Sequence, residues 1–276
     1  MPTLSSGGVT VSENSESSLA PAVTRAVRIL SLLAEARGVP VPLTEIARQI
    51  EAAKSSTSNI CVVLEEAGLV QRRETGYVLG RRTVELGGAY LASFNQIREF
   101  YRVCAESPVL SHELVQIAVL EGTDVVYLAR HEGRAPLRLT AGVGDRFPAA
   151  LTAVGNALLA TLPDDEVRER YRSASFPQLT ERSTQSVDGL LAKLRATRER
   201  GYSIDEGEVF PSVVAMAVAV PARLSGEKVL ALGVSTLDSP IQPELSAPRR
   251  QDVLAALRDA AEHLSNPMAP PLPAVG

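Results

Sequence analysis

Two short runs in this chain carry side chains suited to gripping a polyanion. The first is Lys54, Ser55, Ser56, Thr57 and Asn59, an ammonium, three hydroxyls and an amide placed close together. Such groups donate to phosphate oxygens, and an Asn amide matches the adenine edge. The second is Arg72 and Arg73, which precede a turn at Glu74, Thr75 and Gly76. Arg25, near the start of an earlier apolar stripe, is a further phosphate candidate. No comparable grouping points to catalysis. His112, His131 and His263 are dispersed, with no Cys or carboxylate at metal-ligand spacing. The chain has no Gly-x-Ser-x-Gly elbow, P-loop or Gly-x-Gly-x-x-Gly. Asp164 with Asp165, and Asp205 to Glu208, read as a helix start and a turn rather than an acid/base pair. The chain is therefore expected not to be an enzyme, and to need no metal or cofactor.

The polar runs need elements to aim them, and Leu43 to Gly80 supplies these. Ile46, Ala47 and Ile50 mark one face of a first helix, with Thr44 as its expected N-cap and Glu45 in its first turn. Ile60, Val63, Leu64 and Ala67 recur at i, i+3, i+4 and i+7, the apolar stripe of a second helix that Gly68 ends. Lys54 to Asn59 then occupies the opposite face of its N-terminal half. Val70 and Val78 flank the Arg72–Gly76 turn as a short hairpin. Helix, turn, helix and basic hairpin together make a winged helix-turn-helix, with a recognition helix for the major groove.

At 276 residues the chain has room for two domains. The apolar fraction of 45% and charged fraction of 22% are those of a globular protein. Val213 to Ala222, the longest uncharged apolar run, is far short of the ~18–20 residues of a membrane span. No secretory signal is visible at the N-terminus. Cys61 and Cys104 sit in helical apolar contexts and read as reduced core thiols of a cytoplasmic protein. The net charge of −4 is unevenly spread. From Leu19 to Arg102, eleven Lys and Arg face eight Asp and Glu, a balance of +3; the rest of the chain carries the excess acid. The cationic surplus lies where the motif lies.

Residues 1–18 are Ser-rich and read as a disordered tail. Val23, Ala26, Val27, Ile29, Leu30 and Leu33 form the stripe of an opening helix. The first domain is expected over 19–83, a linker helix over 84–106, a second domain over 107–265 and a tail over 266–276. Arg81 to about Arg102 reads as one helix whose apolar residues need a second copy or the next domain to cover them. In the second domain, Leu114 to Leu120, Val125 to His131 and Leu137 to Thr140 are strand-like. Thr152 to Leu162, Asp164 to Arg172, Ser186 to Arg200 and Arg249 to Leu264 are helical. Val213 to Val220 and Val229 to Thr236 are apolar strands about a turn at Ser225 and Gly226. The mixture predicts an α+β domain on an antiparallel sheet.

Several of these segments resemble the IclR family of bacterial transcriptional regulators. Thr24 to Val27 with Ile29 and Leu30 is similar to its opening helix. Leu64 to Val70 and Tyr77 to Gly80 resemble its helix end and wing. Gly144 to Pro148 with Thr152 to Ala160 resembles the start of its effector-domain helix. Gly201 to Glu208 and Ala217 to Pro221 resemble its C-terminal signature. Five such matches in order make the resemblance specific. It implies a winged DNA-binding domain, a dimerising linker helix, and a GAF-like domain holding a small organic effector. The implied partners are double-stranded operator DNA and further copies of the chain, as homodimer or homotetramer, with no membrane.

The effector cavity is placed between the sheet and the helix starting near Thr152. Thr152 and Gly155 would bring backbone donors to an anionic group. Asp205, Ala215 and Ser235 line the wall by analogy with the family. Ala149, Val213 and Ala215 give a small apolar lining, which favours a carboxylate with an apolar body. The bland readings are close helix packing for Gly155 and a turn or cap for Asp205. This chain also departs from the family pattern, with Glu51 where Gly is frequent, Asn59 for Arg, Asn156 for Lys, Ala150 for His and Ala215 for Cys. Two other functions compete with a ligand-responsive regulator, repressor or activator. One is an enzyme or sensor domain fused to a DNA anchor. The other is a module whose winged domain recognises protein.

Overall fold

The structure, a computed structural model, describes residues 19–133, 141–223, 226–237 and 247–265. The expected tails, the expected strand over 137–140 and Ser225 of the expected turn lie outside them. The chain divides into two compact units, the first ending at Ser93 and the second beginning at Phe94.

The first unit runs α1 (Pro21–Glu35), α2 (Leu43–Gln49), α3 (Lys54–Glu66), β1 (Val70–Arg73), β2 (Gly76–Leu79) and α4 (Arg82–Ala92). Pro21 opens α1, where its missing N–H costs nothing. Ile29 and Leu33 of α1 bury against Ile46, Ile50, Cys61, Leu64, Val70 and Tyr77. β1 and β2 pair antiparallel, and Val41 adds a bridge to Tyr77. That bridge brings the Val41 carbonyl so close to Gly76 that a Cβ there would lie 2.3 Å from its oxygen. The hairpin can be laid against the α1–α2 connection only with glycine at this position.

Three details differ from the sequence reading. Pro42, not Thr44, stands at the start of α2, and no side chain caps it. Its proline-set extended backbone ends the preceding segment two residues earlier than the hydroxyl would. The buried stripe of α3 is Thr57, Cys61 and Leu64, while Val63 is 63% exposed. The helix is thus rotated from its expected phase, because Cys61 rather than Val63 meets α1. Finally, the expected single helix over 81–102 is broken. The Ser93 hydroxyl donates to the Tyr90 carbonyl at 2.6 Å, Phe94 is extended, and α5 (Asn95–Glu106) starts afresh.

The second unit continues with β3 (Leu114–Glu121), β4 (Asp124–His131), β5 (Arg146–Pro148), α6 (Ala153–Leu159), α7 (Asp164–Arg170), α8 (Val187–Arg200), β6 (Ser203–Glu206), β7 (Val213–Val220), β8 (Leu230–Leu237) and α9 (Ala247–Ser265). Its sheet is antiparallel throughout, in the order β5-β4-β3-β8-β7-β6. The strands β5 and β6 are not among those expected from the sequence, being too brief to show a period. α6 and α8 belong to the core built on one sheet face with Ala118, Tyr127, Ala217 and Ala231. α5 and α9 pack on each other and on the central strands. Cover on both faces explains why β3, β7 and β8 are nearly continuous in apolar residues. Cys61 and Cys104 are free and buried, and burial pushes their thiols up to about 11 and about 12. No helix among the described residues is long and apolar enough to cross a membrane.

Two substitutions test this account. Glu51 joins α2 to α3 in the left-handed region, at φ 53°, where a Cβ costs about 1–2 kcal/mol. Glu51→Gly is expected to stabilise the first unit by about 0.5–1 kcal/mol, because relief of strain exceeds the extra chain entropy of glycine. At Gly155 a Cβ would lie 2.2 Å from the Ala149 carbonyl oxygen. Gly155→Ala is expected to destabilise the second unit by about 1–3 kcal/mol. Calorimetric melting of the whole chain measures both, and equal midpoints for wild type and either variant would refute the corresponding argument.

Candidate functional site

The N-terminus of α3 is an open, cationic helix end. Ala53 leads in with extended backbone and Lys54 is the first helical residue. Lys54, Ser55 and Asn59 are exposed and Ser56 is half-buried. Thr57 leaves this group: it is 0% exposed and its hydroxyl donates to the Ala53 carbonyl at 3.1 Å. The expected contact at Thr57 is therefore corrected to a core position, its side chain being carried inward by the same rotation that exposes Val63. Arg72 and Arg73 are exposed on β1, and Arg25 is half-buried on α1.

The pairing of cations within this unit separates two populations. Arg48 is held by Glu45 at 2.5 Å and Arg82 by Glu85 at 3.4 Å. The Arg48 hydrogen bonds hold the Glu45 carboxyl down at about 2. Lys54, Arg72, Arg73, Arg25 and also Arg81 have no ion-pair partner among the described residues. Arg81, exposed just after the wing, was missed in the sequence because it reads as the start of the following helix. Free cations beside the exposed N–H groups of a helix end form a surface that binds phosphates.

The second unit holds a small cavity of about 40 Å³. Its wall is set by strand register. Asp205 of β6 stands opposite Ala215 of β7, which stands opposite Ser235 of β8, so the three form one row across the sheet. Gln116 and Gly233 make the next row of the lining, and Tyr127 adds to it from β4. Thr152, Ala153 and Val154 close one side from the start of α6. Phe147 packs edge-on against both Tyr127 and Phe210, at 6.2 and 5.9 Å between ring centres. Val209 and Val213 complete the apolar part.

Of the expected lining, Thr152, Asp205, Val213, Ala215 and Ser235 are brought together. Ala149 and Gly155 are not. The Gly155 N–H donates to Thr152 Oγ1 at 3.0 Å, and its missing Cβ lets Ala149 pack against α6. Both residues are buried structural positions rather than cavity wall. Gln116, Tyr127, Phe147 and Phe210 were missed. A lone Gln amid the apolar residues of β3 was the one signal for them. Its amide donates to the Ala141 carbonyl at 2.7 Å and accepts from Ser235 Oγ at 3.4 Å.

Behind the wall lies a buried polar cluster. Lys193 of α8 pairs with Glu208 at 2.6 Å and donates to the Ala150 carbonyl at 2.6 Å. The Glu208 N–H in turn donates to Asp205 Oδ1 at 2.7 Å. Asp205 is 5% exposed, and burial lifts its carboxyl to about 7. The backbone N–H groups of Glu208 and Gly207 and the Lys193 charge oppose that rise, while the Glu208 charge adds to it. Burial lowers the Lys193 ammonium against the pull of Glu208. Asn156, buried on α6, has both amide atoms unpaired among the described residues and does not line the cavity. Among the described residues no three His, Cys, Asp or Glu gather as a metal site would require.

Comparisons with known proteins agree with both units. The IclR helix-turn-helix domain matches residues 22–74, and the bacterial transcriptional regulator IclR C-terminal domain matches residues 88–266. The transcriptional regulator KdgR of Escherichia coli K12 is 28% identical over 250 residues, covering 89% of this chain and 92% of its own. A PobR inducer-binding domain from Acinetobacter, a double mutant solved with 3-hydroxybenzoic acid, is 26% identical with TM-score 0.52 and covers 62% of this chain and 95% of its own. An IclR homologue from Microbacterium hydrocarbonoxydans, solved with 4-hydroxybenzoate, shares the fold at 22% identity and TM-score 0.72, covering 88% and 97%. The open cationic helix end, the wing and the antiparallel α+β unit are thus joined in one chain that belongs to the IclR family of bacterial transcriptional regulators.

Proposed function

We propose that this regulator binds operator DNA through the N-terminal end of α3 and the wing, and that a small carboxylate with an apolar body, held in the second unit, alters that binding. The observation that carries the DNA part is the set of cations with no ion-pair partner among the described residues: Lys54 at the exposed start of α3, Arg72 and Arg73 on the wing strand β1, and Arg25 on α1. Ser55, Ser56 and Asn59 supply neutral donors between them, with Asn59 placed to read an adenine. The protein works in the cytoplasm, where its operator is.

The effector part is supported by the cavity. Phe147, Val209, Phe210, Val213 and Ala215 accept an apolar body, and Gln116, Thr152 and Ser235 offer hydrogen bonds to its polar end. The hydroxybenzoates held by two proteins of this fold are ligands of that kind. α4 supports self-association as dimer or tetramer: Val84 is 75% exposed, with Leu86 and Tyr90 on the same short helix also exposed. A dimer would place two recognition helices on two half-sites. No observation in the second unit favours turnover of the bound compound over simple binding.

Selection of genomic fragments by the purified protein gives the operator on which two outcomes are read. Arg72→Ala should lower the magnitude of the salt-dependence slope by about 0.9, the signature of one lost phosphate contact. Lys54→Glu should abolish binding with an unchanged melting curve. An unaltered slope, or full binding by the Lys54 variant, would remove this surface from consideration. For the effector, a thermal-shift screen should show stabilisation by small aromatic or short-chain carboxylates. Because coupling is reciprocal, an effector that changes operator affinity tenfold must itself bind tenfold differently when operator is present. Equal effector affinity with and without DNA would sink the regulatory reading.

A further inference from the structure

We propose that the effector carboxylate enters the cavity of the second unit together with one proton, which it shares with the carboxyl group of Asp205. This rests on the reading of the cavity as a carboxylate site and adds what balances the charge there.

The charges around the cavity do not balance a bound carboxylate. No Lys or Arg is among the described residues lining the cavity. The nearest ammonium, Lys193, is held by Glu208 Oε1 and the Ala150 carbonyl, each at 2.6 Å. Arg130 reaches the Ala141 carbonyl at 3.3 Å but is paired with Glu132 at 3.1 Å. The Lys193–Glu208 pair is neutral as a unit, so among the described residues an ionised Asp205 is balanced chiefly by the Glu208 and Gly207 N–H groups, with a smaller pull from Lys193. From β4 the Tyr127 phenol faces it, held protonated by burial and by the Asp205 charge. α6 and β7, which also pack around it, contribute no ionisable side chain.

A second anion placed within about 5 Å of Asp205 would lose on the order of 100-fold in affinity at an effective dielectric of ~20. One proton between the two carboxyl groups removes that repulsion and makes a short, charge-assisted hydrogen bond. Two carboxyl groups in one enclosed site share a proton in this way. The proton comes from solvent, and no bond to carbon changes. Asp205 Oδ1 keeps its bond from the Glu208 N–H, so the proton belongs on the other oxygen. The proton is also cheap at neutral pH. Burial has already raised the Asp205 carboxyl to about 7, so below that pH the empty site holds the proton before any ligand arrives.

The test is titration calorimetry of the full chain with benzoate, 4-hydroxybenzoate and pyruvate, and with benzyl alcohol as neutral comparison. Each is run at pH 8 in phosphate and in Tris, whose ionisation heats differ. Expected is uptake of close to one proton per carboxylate at pH 8, falling to about 0.1 at pH 6, with affinity about tenfold weaker per pH unit above about 7. Benzyl alcohol should show neither effect. Asp205→Asn should bind the carboxylate with affinity flat from pH 6 to 8, since its amide donates without a proton. Carboxylate binding with equal heats in both buffers and a flat pH profile in wild type overturns the shared proton while leaving the carboxylate reading standing. Binding of benzyl alcohol alone, or of none of the probes, overturns both. Should Asp205→Asn fail to fold, the wild-type proton count decides by itself.

Discussion

Glu208, through its side chain and backbone together, ties several segments of the second unit to one point. Its carboxylate takes the Lys193 ammonium on one oxygen and the Thr184 N–H on the other, at 2.6 and 2.9 Å. Its carbonyl accepts the Ser183 hydroxyl at 2.7 Å, and its N–H holds Asp205. Through Lys193 the same hub reaches the Ala150 carbonyl, in the turn that leads into α6. One residue therefore fixes the floor of the cavity, the segment leaving β6 and the carboxyl in the wall. A buried ion pair is a poor source of net stability, since desolvation cancels most of its attraction. What it offers here is placement. Four chain segments distant in sequence converge on a geometry that apolar contacts, being non-directional, would leave loose.

The first unit uses charge in the opposite way. Its paired cations, Arg48 and Arg82, sit on helix faces with a carboxylate three residues away, where exposed pairs contribute a few tenths of a kcal/mol each. Those without an ion-pair partner among the described residues lie at the start of α3, on β1, just after the wing and on α1. The chain as a whole is acidic, at −4, so long-range attraction to DNA is weak and the contact depends on local display. An exposed cation keeps its water until a phosphate replaces it, whereas one already in an ion pair must first give up its partner. Distribution rather than total charge makes an acidic chain compatible with DNA binding.

Much of this was legible in the sequence, and the failures share a cause. Helix α3 and the wing were visible because Gly68, Gly76 and the apolar spacing punctuate them. The phase of α3 was not, because Ile60, Cys61, Val63 and Leu64 offer two overlapping stripes. Packing against α1 chose the one that buries Thr57. In the second unit, Asp205, Ala215 and Ser235 lie far apart in the chain, and only the β6-β7-β8 register makes them neighbours. Resemblance to a family named them, while strand periodicity alone had no means to do so. Gly155 carried two readings, a donor to a ligand and a close packing contact. Thr152 decided between them by occupying its N–H. The helix break at Ser93 and Phe94 was hidden because Phe94 continues the apolar rhythm of the helix and no Gly or Pro marks the break.

The size of a ligand that suits this cavity limits what it can do to a DNA contact made by the other unit. A hydroxybenzoate has about ten heavy atoms, and ligands of that size gain at best on the order of 1 kcal/mol per atom. Part of that gain is spent on docking itself and is the same in every state of the protein. Moving a two-state equilibrium from 1:99 to 99:1 requires about 5.5 kcal/mol of difference between states. That is a large share of everything so small a ligand can supply. It would have to come from lining that changes between states. Yet the wall here is a strand row in fixed register, with its edge at Asp205 anchored by Glu208. A rigid wall binds similarly in both states and contributes little difference. The variable contribution then falls to Val209 and Phe210, in the connection between β6 and β7 and outside both ladders. A few apolar contacts made in one state and lost in the other amount to about 1–3 kcal/mol. On these magnitudes the proposed effector is expected to tune operator affinity by roughly 10- to 100-fold rather than to act as an all-or-none switch.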